Sequence, residues 1–155
     1  MTGAVTVVHA TAIALGDECV LLRGPPGSGK SDLALRCLAL APQPPLIAAP
    51  AELVSDDQVQ LTATGEGYLE ASAPKPIAGL IEIRGLGIRR ISYRQKAHVR
   101  LVIDLGEEQP ERLPPDPLPT VEIAGVALPR RTIRPFEASA HLKVLIALQE
   151  RRTRG

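Results

Sequence analysis

Gly24-Pro25-Pro26-Gly27-Ser28-Gly29-Lys30-Ser31 fits the spacing G-x-x-x-x-G-K-[ST], a loop suited to holding phosphate. Its glycines let successive backbone N–H groups turn inward around an anion, which side chains would obstruct. Lys30 can reach the outer phosphates, and the Ser31 hydroxyl can ligate Mg²⁺. The flanks agree with this chemistry. Cys19-Val20-Leu21-Leu22 is a short apolar run, the buried strand that should enter such a loop. Asp32 to Leu40 then reads as a helix, its partly positive N-terminus aimed at the phosphates, with Pro42 marking its end. A glycine-rich turn could match the octapeptide by chance, but not with both flanks in place.

A phosphate loop alone does not name a reaction, so the nearby acids matter. Asp56-Asp57 follows the apolar pair Leu53-Val54 and should sit at a strand end. Adjacent acids there project in different directions, one toward a metal shell and the other toward an acceptor hydroxyl. A solvated turn is the alternative for the pair. Glu82, between Ile81 and Ile83, projects to the opposite face from both. It reads either as a site carboxylate or as an exposed strand position paired with Arg84. His9, between Val8 and Ala10, reads on its own as a packed or surface residue.

The elements that must position these groups are mostly strands. Val5 to Ala14 reads as one strand with His9 in its middle. Residues 52–55 and 58–62 read as further strands, the second alternating polar and apolar as a half-buried strand does. Thr64 to Gly67 should turn into a partner strand at 68–71. Residues 80–84 form a strand ending at Gly85-Leu86-Gly87, and residues 97–104 another. Residues 121–128 suggest a hairpin across Ala124-Gly125. Ala138 to Glu150 closes as an amphipathic helix, with Leu142, Leu145, Ile146 and Leu148 opposite Lys143, Gln149 and Glu150. Prolines cluster in 42–50, 74–76 and 110–119, which read as loops. So many strands around two helices fit poorly with a GTPase or ABC-type NTPase, which alternate strand and helix many times.

Composition narrows the class. A chain of 155 residues predicts one domain. Aromatics make up only 2%, so the core must come from Leu, Ile, Val and Ala. A net charge of +1 gives no reason to expect nucleic acid, and Arg151, Arg152 and Arg154 read as a solvated tail. Two cysteines, Cys19 and Cys37, make no disulfide framework, and a cytoplasmic location follows. No signal peptide is visible and no apolar run is long enough to cross a bilayer, so no membrane partner is expected.

Four segments together resemble the catalytic domain of HPr kinase/phosphorylase, the bacterial enzyme that phosphorylates a serine of the phosphocarrier HPr. They are Val8-His9, twenty-one positions (His9 to Lys30) ahead of the loop lysine; the phosphate loop; Leu53-Val54-Ser55-Asp56-Asp57-Gln58-Val59; and Ile81-Glu82-Ile83-Arg84-Gly85-Leu86-Gly87-Ile88. The last is long and specific. The resemblance covers about residues 8 to 145. It implies an α/β P-loop kinase domain of the HPr kinase/phosphoenolpyruvate carboxykinase type, with a strand-rich mixed sheet, one P-loop helix and a C-terminal helix.

The roles it implies can be given by position. Asp57 takes the serine proton, beside Asp56, with His9 tuning the pair. Gly24, Pro25, Pro26, Gly27, Ser28, Gly29, Lys30 and Ser31 bind ATP, and Lys30 also neutralises the transferring phosphoryl group. Ser31 and Glu82 ligate Mg²⁺. Arg112, before Leu113, resembles the family's catalytic arginine. HPr is the implied partner, and a homo-oligomer is compatible with the resemblance.

The chain departs from the family at several places. There is no room for the family's N-terminal domain, so residues 1–155 are expected to be one catalytic domain. Ser92 to Lys96 replaces a glycine-rich segment. Where the family has a Pro-x-x-x-Gly-Arg-Asn-type loop linked to dephosphorylation, this chain has Ile133 to Ala138, keeping Arg134 and Pro135. It is similar to the short alphaproteobacterial form, for which kinase chemistry is implied but phosphorolysis is not. A non-catalytic nucleotide-sensing module is a second reading, and a small-molecule kinase a third. A sensor needs no base such as Asp57, and the segment 81–88 disfavours the small-molecule kinase.

Overall fold

The computed structural model describes residues 4–108 and 111–150, which leaves Arg151, Arg152 and Arg154 outside the described residues. The strands run β1 (Val5–His9), β2 (Thr11–Leu15), β3 (Glu18–Arg23), β4 (Glu52–Ser55), β5 (Gln58–Ala63), β6 (Leu69–Ser72), β7 (Leu80–Ile83), β8 (Gly87–Arg90), β9 (Ala97–Leu105), β10 (Thr120–Ile123) and β11 (Val126–Ile133). The α-helices are α1 (Lys30–Ala39) and α2 (Ala140–Glu150), and a 3₁₀ turn at Lys75–Ile77 occupies part of the loop expected over 74–76. This is the expected mixed α/β architecture. The helix boundaries shift by two residues at their N-termini, where α1 begins at Lys30 and α2 at Ala140.

The strand expected over 5–14 is broken at Ala10. β1 pairs antiparallel with β5, from Val5 opposite Thr62 to His9 opposite Gln58. β2 pairs with β4, the strand just before β5, with Ala12 opposite Ser55 and Ile13 opposite Leu53. Between them the Ala10 N–H donates to the Asp57 carbonyl at 3.1 Å. Residues 5–15 and 52–63 are therefore two bent halves of one antiparallel ladder, and Asp56-Asp57 lies at the bend.

The other pairings close this ladder into a ring. β5 pairs with β6, β6 with β9, β9 in parallel with β3, and β3 with β2. Beyond the β6 contact, β9 also runs parallel to β11, which carries β10 as a hairpin. Inside the curl lie Ala10, Ala12, Ala14, Cys19, Leu21, Val59, Leu61, Leu69, Ala71, Ala97 and Val99. Small side chains suit so narrow an interior.

The second core covers the outer face. Ile13 and Leu15, Val20 and Leu22 alternate with the interior set along their strands and pack against Leu33, Cys37, Val144, Leu145 and Leu148 of the helices. On β9 the alternation changes phase. Ala97 and Val99 face inward, whereas Leu101 and Ile103 face the helices. A bulge explains this, since Cys19 pairs with Val99 but Val20 with Leu101, and Arg100 is the extra residue. On α2 the buried positions are Ala140, Val144, Leu145, Ala147 and Leu148, whereas Leu142 and Ile146 are half-buried at the core's margin.

The strand expected over 80–84 is β7 and ends before Gly85-Leu86-Gly87. That segment turns β7 into β8, a two-stranded hairpin outside the main sheet. Cys19 and Cys37 are buried free thiols, and burial pushes the Cys37 thiol up to about 12. No helix among the described residues is long and apolar enough to cross a membrane.

Candidate active site

The phosphate loop leaves the end of β3 and turns into α1. The Ser28 N–H donates to the Pro25 carbonyl at 3.0 Å and the Leu33 N–H to the Gly29 carbonyl at 2.9 Å. Gly24 is required by space, because a Cβ there would lie 2.5 Å from the Ser28 Oγ. Gly29, at φ 96°, sits in the left-handed region just before the helix. Lys30 is buried and donates through Nζ to the carbonyls of Gly24 at 2.7 Å and Pro25 at 3.3 Å. Its ammonium is thereby aligned over the loop by the loop's own backbone.

Asp56 comes from the bend of the long ladder and is buried. Its Oδ1 accepts the Ser31 hydroxyl at 2.7 Å and the Thr11 hydroxyl at 3.0 Å, and its Oδ2 accepts the Glu82 N–H at 3.1 Å. One carboxylate thus ties together the start of α1, β2 and β7. Three donors offset the cost of burying its charge.

Asp57, its neighbour, is exposed and has φ 69°. The Gln58 N–H donates to the Asp56 carbonyl at 2.8 Å, so Asp57 is the centre of a γ-turn. The positive φ makes it the rarer, strained kind. The Thr11 Oγ1 accepts the Asp57 N–H at 3.2 Å, so one threonine fixes both aspartates. The turn sends the two carboxylates apart, Asp56 into the protein and Asp57 into the open.

A cavity of about 370 Å³ unites these parts. Pro26, Gly27, Gly29, Lys30, Ser31, Asp56, Asp57 and Glu82 all line it. The loop, the twin aspartates and Glu82 therefore meet in one place. His9 is exposed at the end of β1, directly opposite Gln58 in the ladder and one residue from the Ala10–Asp57 hydrogen bond. Arg112 is placed differently. It lines a separate cavity of about 530 Å³ together with Arg130, Arg131 and Lys143. It is not among the residues lining the cavity of the phosphate loop.

The donor set suits one metal. Among the described residues no group of three or more His, Cys, Asp or Glu could hold an ion by itself. Mg²⁺ does not require such a cage, since it keeps waters and takes one or two protein oxygens beside substrate phosphates. The Ser31 hydroxyl and the Asp56 and Glu82 carboxylates, gathered at one cavity beside the phosphate loop, are hard oxygen donors of that kind.

A family model described as the HPr Serine kinase C-terminal domain matches residues 2–154. The chain belongs to this family. Over 145 residues it is 36% identical to HPr kinase/phosphorylase of Azoarcus sp. (strain BH72), a match covering 86% of this chain and 43% of that protein. Over 159 residues it is 31% identical to HPr kinase/phosphorylase of Bordetella pertussis (strain Tohama I), covering 96% of this chain and 48% of the relative. The chain therefore spans about half the length of the curated relatives it matches. A solved structure, described as the Hpr(Ser) kinase/phosphatase from Coxiella burnetii, superposes with a TM-score of 0.75 over 96% of this chain and 97% of that one, at 24% identity. That likeness establishes the fold.

Within the HPr kinase fold, two parts of the site escaped sequence reasoning. Thr11 was not singled out, because a threonine in an apolar strand looks like any half-buried position. Its opposition to Asp56 becomes visible only once the 5–15 and 52–63 ladder is in register. The second is the segment Pro135 to Glu137, which Arg36 of α1 holds beside the phosphate loop. Arg36 carried no signal of this in a helix read only for its propensity.

Proposed function

We propose that this chain is a kinase domain that transfers the terminal phosphoryl group of ATP to a serine of the phosphocarrier HPr, in the presence of Mg²⁺. Membership of the HPr kinase family supports the class of reaction, and the names of the relatives supply the acceptor. The single observation that carries the reading is the convergence of Lys30, Ser31, Asp56, Asp57 and Glu82 on one cavity.

The geometry suggests how the work divides. The backbone N–H groups of 27–31 and the Lys30 ammonium bind the phosphates and offset charge on the group in transit. Ser31, Asp56 and Glu82 would hold Mg²⁺, which when bound supplies charge neutralisation at the phosphates. Asp57, exposed and unburdened by the structural bonds that occupy Asp56, accepts the proton of the serine hydroxyl. The hydroxyl oxygen then attacks the terminal phosphorus in line, the bond from that phosphorus to the bridging oxygen breaks, and ADP leaves. His9 stands close enough in the ladder to orient the loop bearing Asp57. The reading gives Arg112 no part in this step.

The test is direct. Purified chain, labelled ATP, Mg²⁺ and the host's HPr are incubated and the phosphosite is mapped by mass spectrometry. Label on one HPr serine, lost in Lys30→Ala, is the expected result. Tight nucleotide binding with no label on HPr would favour a nucleotide sensor instead. Adding excess phosphate afterwards reads whether the same chain runs the reverse reaction.

A further inference from the structure

The chain contains one phenylalanine, two tyrosines and no tryptophan. Tyr68 is engaged with the His98 ring, their centroids 4.2 Å apart. Tyr93 lies against Gly79, where a Cβ would come within 2.9 Å of the tyrosine ring. The remaining aromatic, Phe136, is 69% exposed. Leaving such a ring in water forgoes the apolar burial that usually places aromatics inside.

Its location is specific. A Cβ on Gly29 would lie 3.1 Å from both Cε1 and Cζ of Phe136. The ring therefore rests against the loop backbone one residue before Lys30, close enough that a Cβ there would crowd it. Gly29 itself lines the cavity of the phosphate loop, so Phe136 lies against a residue of that lining.

The ring is also held in place. Pro135 is buried. The Arg36 guanidinium donates to the carbonyls of Pro135 and, at 3.3 Å, Glu137, on either side of Phe136. Asp32 steadies the same guanidinium at 3.1 Å. The helix that presents Lys30 and Ser31 thus also fixes the position of the ring.

We propose that Phe136 is the platform on which the base of the donor nucleotide stacks. The inference rests on the reading of the loop as the donor's phosphate site. A nucleoside triphosphate held there by its phosphates must project its base beyond the loop. Phe136 is the aromatic face beside that loop, prefixed and open to solvent on one side. A phenyl ring has no donor or acceptor to read base edges, so it holds purines by their π-faces with little choice between adenine and guanine.

The experiment compares ATP with inorganic triphosphate, which keeps the phosphates and lacks the base. Both are titrated calorimetrically, with Mg²⁺, into the full wild-type chain and into Phe136→Ala. ATP is expected to weaken about 5- to 100-fold in Phe136→Ala, with triphosphate within about 2-fold of wild type. Equal losses for the two ligands would make the ring a prop for the phosphate loop and overturn the inference. Unchanged ATP affinity would overturn it too. So would a wild-type chain that binds triphosphate as tightly as ATP, while leaving the phosphate site intact. A wild-type chain that binds neither ligand would overturn the donor-site reading, and this inference with it.

A second variant guards against misfolding. Phe136→Trp places a lone tryptophan at the site and keeps an aromatic platform. Its affinity for ATP should stay near wild type, and its emission should change with ATP but not with triphosphate. An emission unmoved by bound ATP would place the base elsewhere.

Discussion

Two adjacent aspartates with the same chemistry take opposite environments because one residue between strands is forced through a γ-turn. Asp56 accepts three hydrogen bonds and is buried, whereas Asp57 is exposed at φ 69°. A non-glycine residue held there stores on the order of 1 kcal/mol or more of strain, and such strain persists where the surroundings over-determine it. The strand-end position of the pair predicts that the two acids point apart, and the family resemblance implies which one takes the proton, but nothing in Ser-Asp-Asp-Gln announces the positive φ that separates them. The separation makes a prediction with two readouts. Asp57→Asn should abolish transfer to HPr while ATP affinity stays within about 3-fold, because in the proposed mechanism Asp57 acts on the acceptor and the loop binds the donor. Asp57→Gly should also lose transfer, yet raise the unfolding free energy by about 1 kcal/mol, because glycine relieves the positive φ. Wild-type transfer rates in Asp57→Asn would remove Asp57 from the mechanism. A less stable Asp57→Gly would mean that the turn is not strained.

At the scale of elements, the strands and helices were legible wherever a short apolar run or a helical period met a turn signal. That held for β3, α1, β5, β6 and β9. It failed where the apolar pattern is missing or a partner lies far along the chain. The hairpin formed by β7 and β8 was missed because Gly87-Ile88-Arg89-Arg90 is wholly exposed and has no apolar alternation to read. Likewise α1 showed its propensity but not its use as a clamp. Arg36 reaches across roughly 100 residues of sequence to two loop carbonyls, and it is paired with Asp32 one turn earlier. Charged donors to carbonyls in a partly buried setting contribute about 1–2 kcal/mol together. Arg36→Ala should therefore lower the melting temperature by about 3–6 °C. Arg36→Lys should recover little, since an ammonium lacks the planar fork by which the guanidinium holds both loop carbonyls and Asp32 together. A full recovery by lysine would show that charge, not the planar fork, holds the loop.

At the scale of the whole molecule, the ring of ladders decides where the site forms. A single bent ladder must hand its outer half to β6 and its inner half to β3, and the aspartates sit at the point of transfer. On the other side of the phosphate loop, the parallel strands β3, β9 and β11 are joined by Asp104. Its carboxylate accepts from Arg23 Nε at 2.8 Å and Arg23 Nη2 at 3.0 Å, and from Arg130 Nε. Arg23 is the residue just before Gly24, so this cluster anchors the strand end from which the loop departs. Neither arginine could be matched to Asp104 from sequence, because the pairing crosses three strands. Burial on its own would raise the Asp104 carboxyl, but the hydrogen bonds and charges of the two arginines outweigh it and hold it below the usual carboxylate range. The sign of the pH dependence follows. With the folded value below the unfolded one of about 3.9, the contribution is fully present above about pH 4 and is lost as pH falls through the folded value. Asp104→Asn should thus unfold at lower urea than wild type at pH 7. The gap between their midpoints should narrow steadily below about pH 4, because wild-type Asp104 is then being neutralised as well. Two midpoint curves that remain parallel down to the acid limit would show that the arginines hold Asp104 by packing and not by its charge.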